Sequence, residues 1–175
     1  MRKILALLCA ALLLAVSFAS AESADIVEFR DRLVLNGVLP DGYRFFLKAQ
    51  TDLTLEGEIA SEDVSAPVLE VYIAFNESVA QTESLKDVDE NTLALIKQGF
   101  STESNVTFDL FDTASGDRVL MIRETDGQFL DFYTVCQGHE IELTLFPADG
   151  QTLTDAQVAR FQDFVRSLDF QPNVG

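Results

Sequence analysis

Between Asn105 and Phe146 the chain carries four short apolar runs, "VTFDLF", "RVLMIRE", "FLDFYTVC" and "HEIELTLF", separated only by "DTASGD", "TDGQ" and "QG". Runs this short, rich in β-branched and aromatic residues and bounded by turn formers, are strands. Connections this short join antiparallel neighbours. Any fold for this chain must contain that four-stranded meander. Asp126-Gly127 is a strong two-residue hairpin signal, and Gln137-Gly138 is a weaker one because Asn or Asp is preferred before the glycine.

Registers follow from the loop lengths. A two-residue loop at Gln137-Gly138 pairs Cys136 with His139, Thr134 with Ile141, Phe132 with Leu143 and Leu130 with Leu145. The same logic at Asp126-Gly127 pairs Phe132 with Met121 and Thr134 with Val119. A four-residue loop, Thr113 to Gly116, pairs Val119 with Leu110 and Met121 with Phe108. All three hairpins then place apolar residues on one shared face. The other face carries Asp109, Arg118, Asp131, Glu140, Glu142 and Thr144 among Phe111, Leu120, Ile122 and Tyr133. A one-residue slip inverts a strand, so this agreement is a real constraint. The close alternative is a three-residue bulged loop that pairs Val135 with His139 and sets Asp131 against Leu143.

Upstream, "IVEF" and "RLVL" are short extended pieces, and "LPDGY" (Leu39 to Tyr43) is a turn in which Gly42 allows positive φ. "YRFFLKA", "LTLEGEI" and "VLEVYIAF" are further strands, the second with Leu53, Leu55, Gly57 and Ile59 on one side. A helix is expected over Val88 to Gln98, capped by Asp87 with Glu90 and stopped at Gly99. The closing "LTDAQVARFQDFVRSLDF" combines a Thr154/Gln157 capping box, a Leu153–Val158 staple and an apolar stripe of Val158, Phe161, Phe164, Val165 and Leu168. The fold class is therefore α/β in the α+β sense. A twisted antiparallel meander has the C-terminal helix on its apolar face, with a second helix mid-chain. The sequence shows no repeat, no low-complexity tract and no inter-domain linker, so residues 22–175 are expected to form one domain.

The first 21 residues are of another kind. Arg2 and Lys3 precede an uncharged apolar run, Ile4 to Phe18, and Ala19-Ser20-Ala21 supplies small residues for a peptidase. This is the pattern of a signal peptide cleaved after Ala21, and it implies secretion to the periplasm or cell exterior with no membrane insertion after cleavage. The run falls short of the ~20 residues of a spanning helix. Cys9 follows two leucines inside the run, which is not the setting of a lipidated cysteine.

Of 29 acids and 12 bases in the whole chain, the leader takes only two bases. The mature chain thus has 29 acids against 10 bases. Such an excess repels phosphates, so nucleic acid and anionic membrane are excluded as partners. An unknown protein or a small-molecule ligand remains. Only Cys136 survives leader removal, so no internal disulfide can form and stability must come from burial.

Candidate chemistry is sparse. Cys136 and His139, the only histidine, become cross-strand neighbours, which permits a Cys–His nucleophile pair. No motif supplies an orienting group or an oxyanion hole, and a thiol at such a place also serves as a small apolar filler. One histidine and one cysteine fall short of a zinc set. "DVDENT" places Asp87, Asp89 and Asn91 as a calcium loop begins, but Thr92 stands where glycine is needed and Gln98 where glutamate is needed. Carboxylates at a helix start are the simpler account, and a weak divalent-cation binder is the alternative. Asn76 ("NES") and Asn105 ("NVT") fit the glycosylation triplet. No catalytic, cofactor-binding or metal residue is assigned, and no cofactor is implied. The expected role is a non-enzymatic binding or accessory domain, with a Cys136/His139 enzyme as alternative.

From Leu39 to Phe170 the order of these signals resembles the PsbP-like fold. "LPDGY" leads into strands, a polar loop, a strand and a helix, then the meander with "YTVCQGHEIELTL" and a last helix ending "FVRSLDF". That group includes photosystem II extrinsic subunits, a Ran-binding nuclear import factor and DcrB-type envelope lipoproteins. The resemblance implies a sheet-and-helix domain whose members serve different partners without a common active site. The chain lacks the lipidation cysteine of the envelope lipoproteins, and no binding residue carries over.

The leader reading is checked by N-terminal sequencing of secreted protein, which should begin at Glu22. A chain that retains Met1, or starts at a lipid-modified Cys9, would overturn it.

Overall fold

The structure is a computed structural model and describes residues 24–29, 33–101 and 105–172. The expected signal peptide and Cys9 lie outside the described residues.

Among the described residues ten strands and two α-helices follow in chain order. The strands are β1 (Ala24–Phe29), β2 (Leu33–Gly37), β3 (Tyr43–Gln50), β4 (Thr54–Ser61), β5 (Val68–Phe75), β6 (Val106–Asp112), β7 (Arg118–Glu124), β8 (Leu130–Cys136), β9 (His139–Phe146) and β10 (Asp169–Pro172); the helices are α1 (Glu90–Phe100) and α2 (Asp155–Ser167). Seven strands form one antiparallel sheet in the order β3-β4-β5-β9-β8-β7-β6, and a small sheet has the order β1-β2-β10. After β5 the chain crosses to the far edge and returns strand by strand until β9 pairs with β5. The α+β class and the meander are as expected from the sequence. Among the described residues no helix is long and apolar enough to cross a membrane.

Two of the expected hairpin registers hold. Cys136 pairs with His139, Thr134 with Ile141, Phe132 with Leu143 and Leu130 with Leu145. Met121 pairs with Phe132. The bulged alternative with Val135 opposite His139 is therefore not adopted. The third register is corrected by one residue: Leu110 pairs with Leu120 and Phe111 with Val119. The loop has three residues rather than four. Thr113 N–H donates to the Asp117 carbonyl at 2.8 Å, Gly116 N–H donates to the Thr113 carbonyl at 3.0 Å, and Gly116 takes φ 98°. That is the three-residue hairpin closed by a left-handed glycine. The slip turns Phe111 into the main core and leaves Phe108 on the other face.

That other face is also apolar at one end. Leu120, Ile122, Tyr133 and Val135 form a second core there with Leu85, covered by Leu93, Ile96 and Phe100 of α1. The helix starts at Glu90, not Val88. Asp89 is its N-cap, with the side chain accepting from Asn91 and Thr92 N–H, while Asp87 closes a capping box with Ser84 on the preceding 3-10 turn. Gly99 does not stop the helix, which runs on to Phe100. Leu53 lies before β4 and is exposed rather than sharing the face of Leu55 and Ile59.

The main core lies on the opposite face, under α2 and the small sheet. Thr154 and Gln157 form the capping box, and Val158, Phe161, Phe164 and Val165 point inward. Two loop contacts pin the helix: Leu153 N–H donates to the Gly127 carbonyl at 2.9 Å, and Ala114 N–H to the Arg166 carbonyl at 2.7 Å. Arg160, on the outward side by sequence, is not idle. It donates to the Asp41 carbonyl at 3.0 Å and lies over the Tyr43 ring at 5.3 Å. At the β3 edge the ladder breaks with a bulge between Leu47 and Ala49.

Phe161 is fully buried and touches Tyr43 edge-on at 5.3 Å. Phe161→Ala should lose about 3–5 kcal/mol in urea titrations. Asp163→Ala, on the exposed side of the same helix, should stay within about 0.5 kcal/mol. Equal losses would refute this orientation of α2.

Candidate functional site

The β8–β9 turn holds the chain's only histidine and its last cysteine. Gln137 and Gly138 take φ 51° and 75°, the conformation of a type I′ hairpin. The tip is clasped by the segment after β5. Gln137 N–H donates to the Glu83 carbonyl and Gly138 N–H to the Thr82 carbonyl, both at 3.0 Å. A side chain at Gly138 would meet the Ala80 backbone at 3.0 Å, so only glycine fits.

Cys136 is buried, with Sγ 3.7 Å from the Phe170 carbonyl of β10. Burial first, then Asp117 and Asp169, push its thiol up to about 12. At neutral pH the sulfur is a thiol, not a thiolate nucleophile. His139 Nδ1 donates to the Gln137 carbonyl at 2.9 Å, and the ring sits edge-on to Phe29 and Phe75 at 5.7 and 5.6 Å. The structure brings the two residues together in a packed hairpin end, with the thiol in the main core.

The calcium-like "DVDENT" carboxylates are spent on helix starts, as described above. Among the described residues no three of His, Cys, Asp and Glu converge as a metal shell. Of the glycosylation triplets, Asn76 is tied up: its amide donates to Glu140 at 2.8 Å and its carbonyl oxygen accepts from Ser78 N–H at 2.9 Å. Asn105 is exposed.

The arrangement with most chemical character is one the sequence did not single out. α1 covers the outer face over β6–β8 and leaves it open over β9, β5 and β4. Two cross-strand rows run across the open part and end in buried residues of β8. One is Glu56–Tyr72–Glu142–Tyr133, and the other is Glu58–Glu70–Thr144–Asp131. A groove of about 400 Å³ lies over them, lined by Lys48, Glu56, Glu70, Tyr72, Glu142 and Thr144. A second cleft of about 340 Å³ adjoins it at Glu142 and runs under α1, between Leu95, Ile96, Phe100, Tyr133 and Glu140. Wider depressions of about 590 Å³ lie elsewhere over loops and gather no comparable set of side chains.

The electrostatics of this face are one-sided. Lys48 pairs with Glu58 and reaches Glu70 at 4.0 Å. Glu140 accepts from the Tyr133 hydroxyl at 2.8 Å and from Asn76. Burial and the neighbouring Glu140 raise the Glu142 carboxyl. Asp131 is only 6% exposed, and its Oδ1 has no hydrogen-bond partner among the protein's atoms. Burial lifts its carboxyl to about 6, opposed by the Thr144 hydroxyl and reinforced by Glu142. The signal that could have found this site is the pairing of β5 with both β4 and β9, which brings Glu56, Glu70 and Glu142 together.

No protein-family model matches the chain, and no curated protein matches it.

The raised Asp131 carboxyl has a signed consequence. The folded state holds this proton more tightly than the unfolded chain, so the group's contribution falls as pH rises from about 4 to about 6. Above that window a buried charge costs on the order of 2–3 kcal/mol. Asp131→Asn should raise the urea midpoint at pH 7.5, and the gain should vanish near pH 4. A variant destabilised equally at both pH values would sink the assignment.

Proposed function

We propose that this protein is an extracytoplasmic, non-enzymatic binding module whose ligand sits on the open half of the outer sheet face. The observation that carries the proposal is the partial cover of that face. α1 roofs β6–β8 and stops, so a ledge of Leu95, Ile96 and Phe100 stands beside exposed polar rows on β9, β5 and β4. A scaffold with both cores filled and one walled, open face suits binding. The protonated Cys136 thiol speaks against the alternative in which Cys136 and His139 do chemistry. Export is supported by the basic start, apolar run and Ala19-Ser20-Ala21 of the sequence. The order of the elements supports the PsbP-like resemblance, and an accessory role is in keeping with it.

Tyr72 stands on the open rows and is 40% exposed. A photo-reactive phenylalanine analogue placed there should give a discrete adduct when the protein is irradiated in the extracellular fraction of its own source. The same analogue at Asp163, on the outside of α2, should give none. Adducts at both positions alike, or at neither, would defeat the proposal.

A further inference from the structure

Resting on that reading, we infer that the open groove takes a basic, partly apolar polypeptide segment laid across the strands, its lysine or arginine side chains meeting the carboxylates and its apolar side chains meeting the α1 ledge.

Charge complementarity is the first argument. Glu56, Glu58, Glu70, Asp131, Glu140 and Glu142 share this face, and Lys48, which pairs with Glu58, reaches Glu70 and feels Glu56, is the one basic residue among those described that line the groove. Like charges in adjacent strands destabilise a sheet unless a cation arrives. The second argument is independent of the acid count. Asp131 is more than nine-tenths buried, keeps one oxygen without a protein partner, and shares its cross-strand row with Thr144, which lines the groove. Buried polar atoms are nearly always satisfied, so an orphan in a row that opens to solvent marks a place for a donor. The third argument concerns the kind of cation. Tyr133 and Phe100 meet edge-on at 5.7 Å in the cleft beside Glu140 and Glu142. Aromatic rings next to carboxylates suit a guanidinium or ammonium carried on an aliphatic stem.

Size decides for a polypeptide over a small polyamine. From β3 to β8 there are four inter-strand steps, about 19 Å at ~4.8 Å a step. An extended segment of about six residues spans that distance at ~3.3 Å per residue. Exposed apolar side chains stand at both ends, Phe46 on β3 and Leu95 on α1, which are 48% and 66% exposed. A polyamine has nothing to place on them.

The test uses the purified secreted protein and an end-blocked, fluorescein-labelled peptide of three Lys-Leu repeats, with spermine as the small polycation. Saturable peptide binding is expected. The double variant Glu56→Lys/Glu70→Lys should weaken it about tenfold or more. Leu95→Ser should weaken it several-fold, while Asp163→Lys should leave it within about twofold. Spermine should bind about tenfold more weakly than the peptide and be indifferent to Leu95→Ser. Circular dichroism of each variant separates misfolding from lost binding. No saturable binding up to millimolar peptide would overturn the inference. So would equal weakening by Asp163→Lys, which means diffuse attraction only, or spermine binding as tightly as the peptide. A discrete adduct at Tyr72 with no peptide binding would leave the binding-module reading standing and remove only its basic partner.

Discussion

β8 is the strand on which the rest depends, because all seven of its residues are buried. In an antiparallel sheet one face commonly meets water. Here Leu130, Phe132 and Cys136 enter the main core, while Tyr133 and Val135 enter the second. A strand covered on both sides requires a layer on each side. α2 and the small sheet supply one, and α1 supplies the other. Gly138, in the turn after β8, is buried too, so its backbone donor needs a partner, and the Thr82 carbonyl supplies it while the Glu83 carbonyl takes the Gln137 N–H beside it. The crossing segment between β5 and α1 is held in place by that need.

The same strand explains the site. Asp131 is the one carboxylate in a strand otherwise given over to packing, and it lies where the cover of α1 gives way to the open rows. Its oxygen is orphaned because its neighbours along the row are Ile122 on one side and Thr144 on the other. Thr144 can satisfy only part of a carboxylate. The acidity of the face is thus a property of strand order. Tyr72 stands between Glu56 and Glu142 only because β5 has β4 on one side and β9 on the other.

Much of this was legible in the residues. The two-residue turns fixed β7, β8 and β9, since their apolar sets agreed face by face. The capping box and stripe placed α2. The β6 register was not legible for a physical reason. Val106, Phe108 and Leu110 alternate as cleanly as any core strand, and nothing local says which of two cores receives them. The loop "DTASGD" could be cut at three residues or four, and only the bonds of Thr113 and Gly116 decide. β10 and the small sheet were missed because four residues after a helix carry little pattern. The groove was missed because its carboxylates sit at ordinary solvent positions on strands far apart in sequence.

The bulge between Leu47 and Ala49 bears on how this chain behaves among its own copies. β3 is an edge strand, with Phe46 and Leu47 about half exposed. A straight, greasy edge would recruit a second molecule as an eighth strand. The bulge interrupts the ladder at mid-strand and Lys48 sits within it, so the free N–H and C=O groups lack the even spacing an incoming strand would need. The edge can stay sticky enough to frame a groove without seeding a fibre.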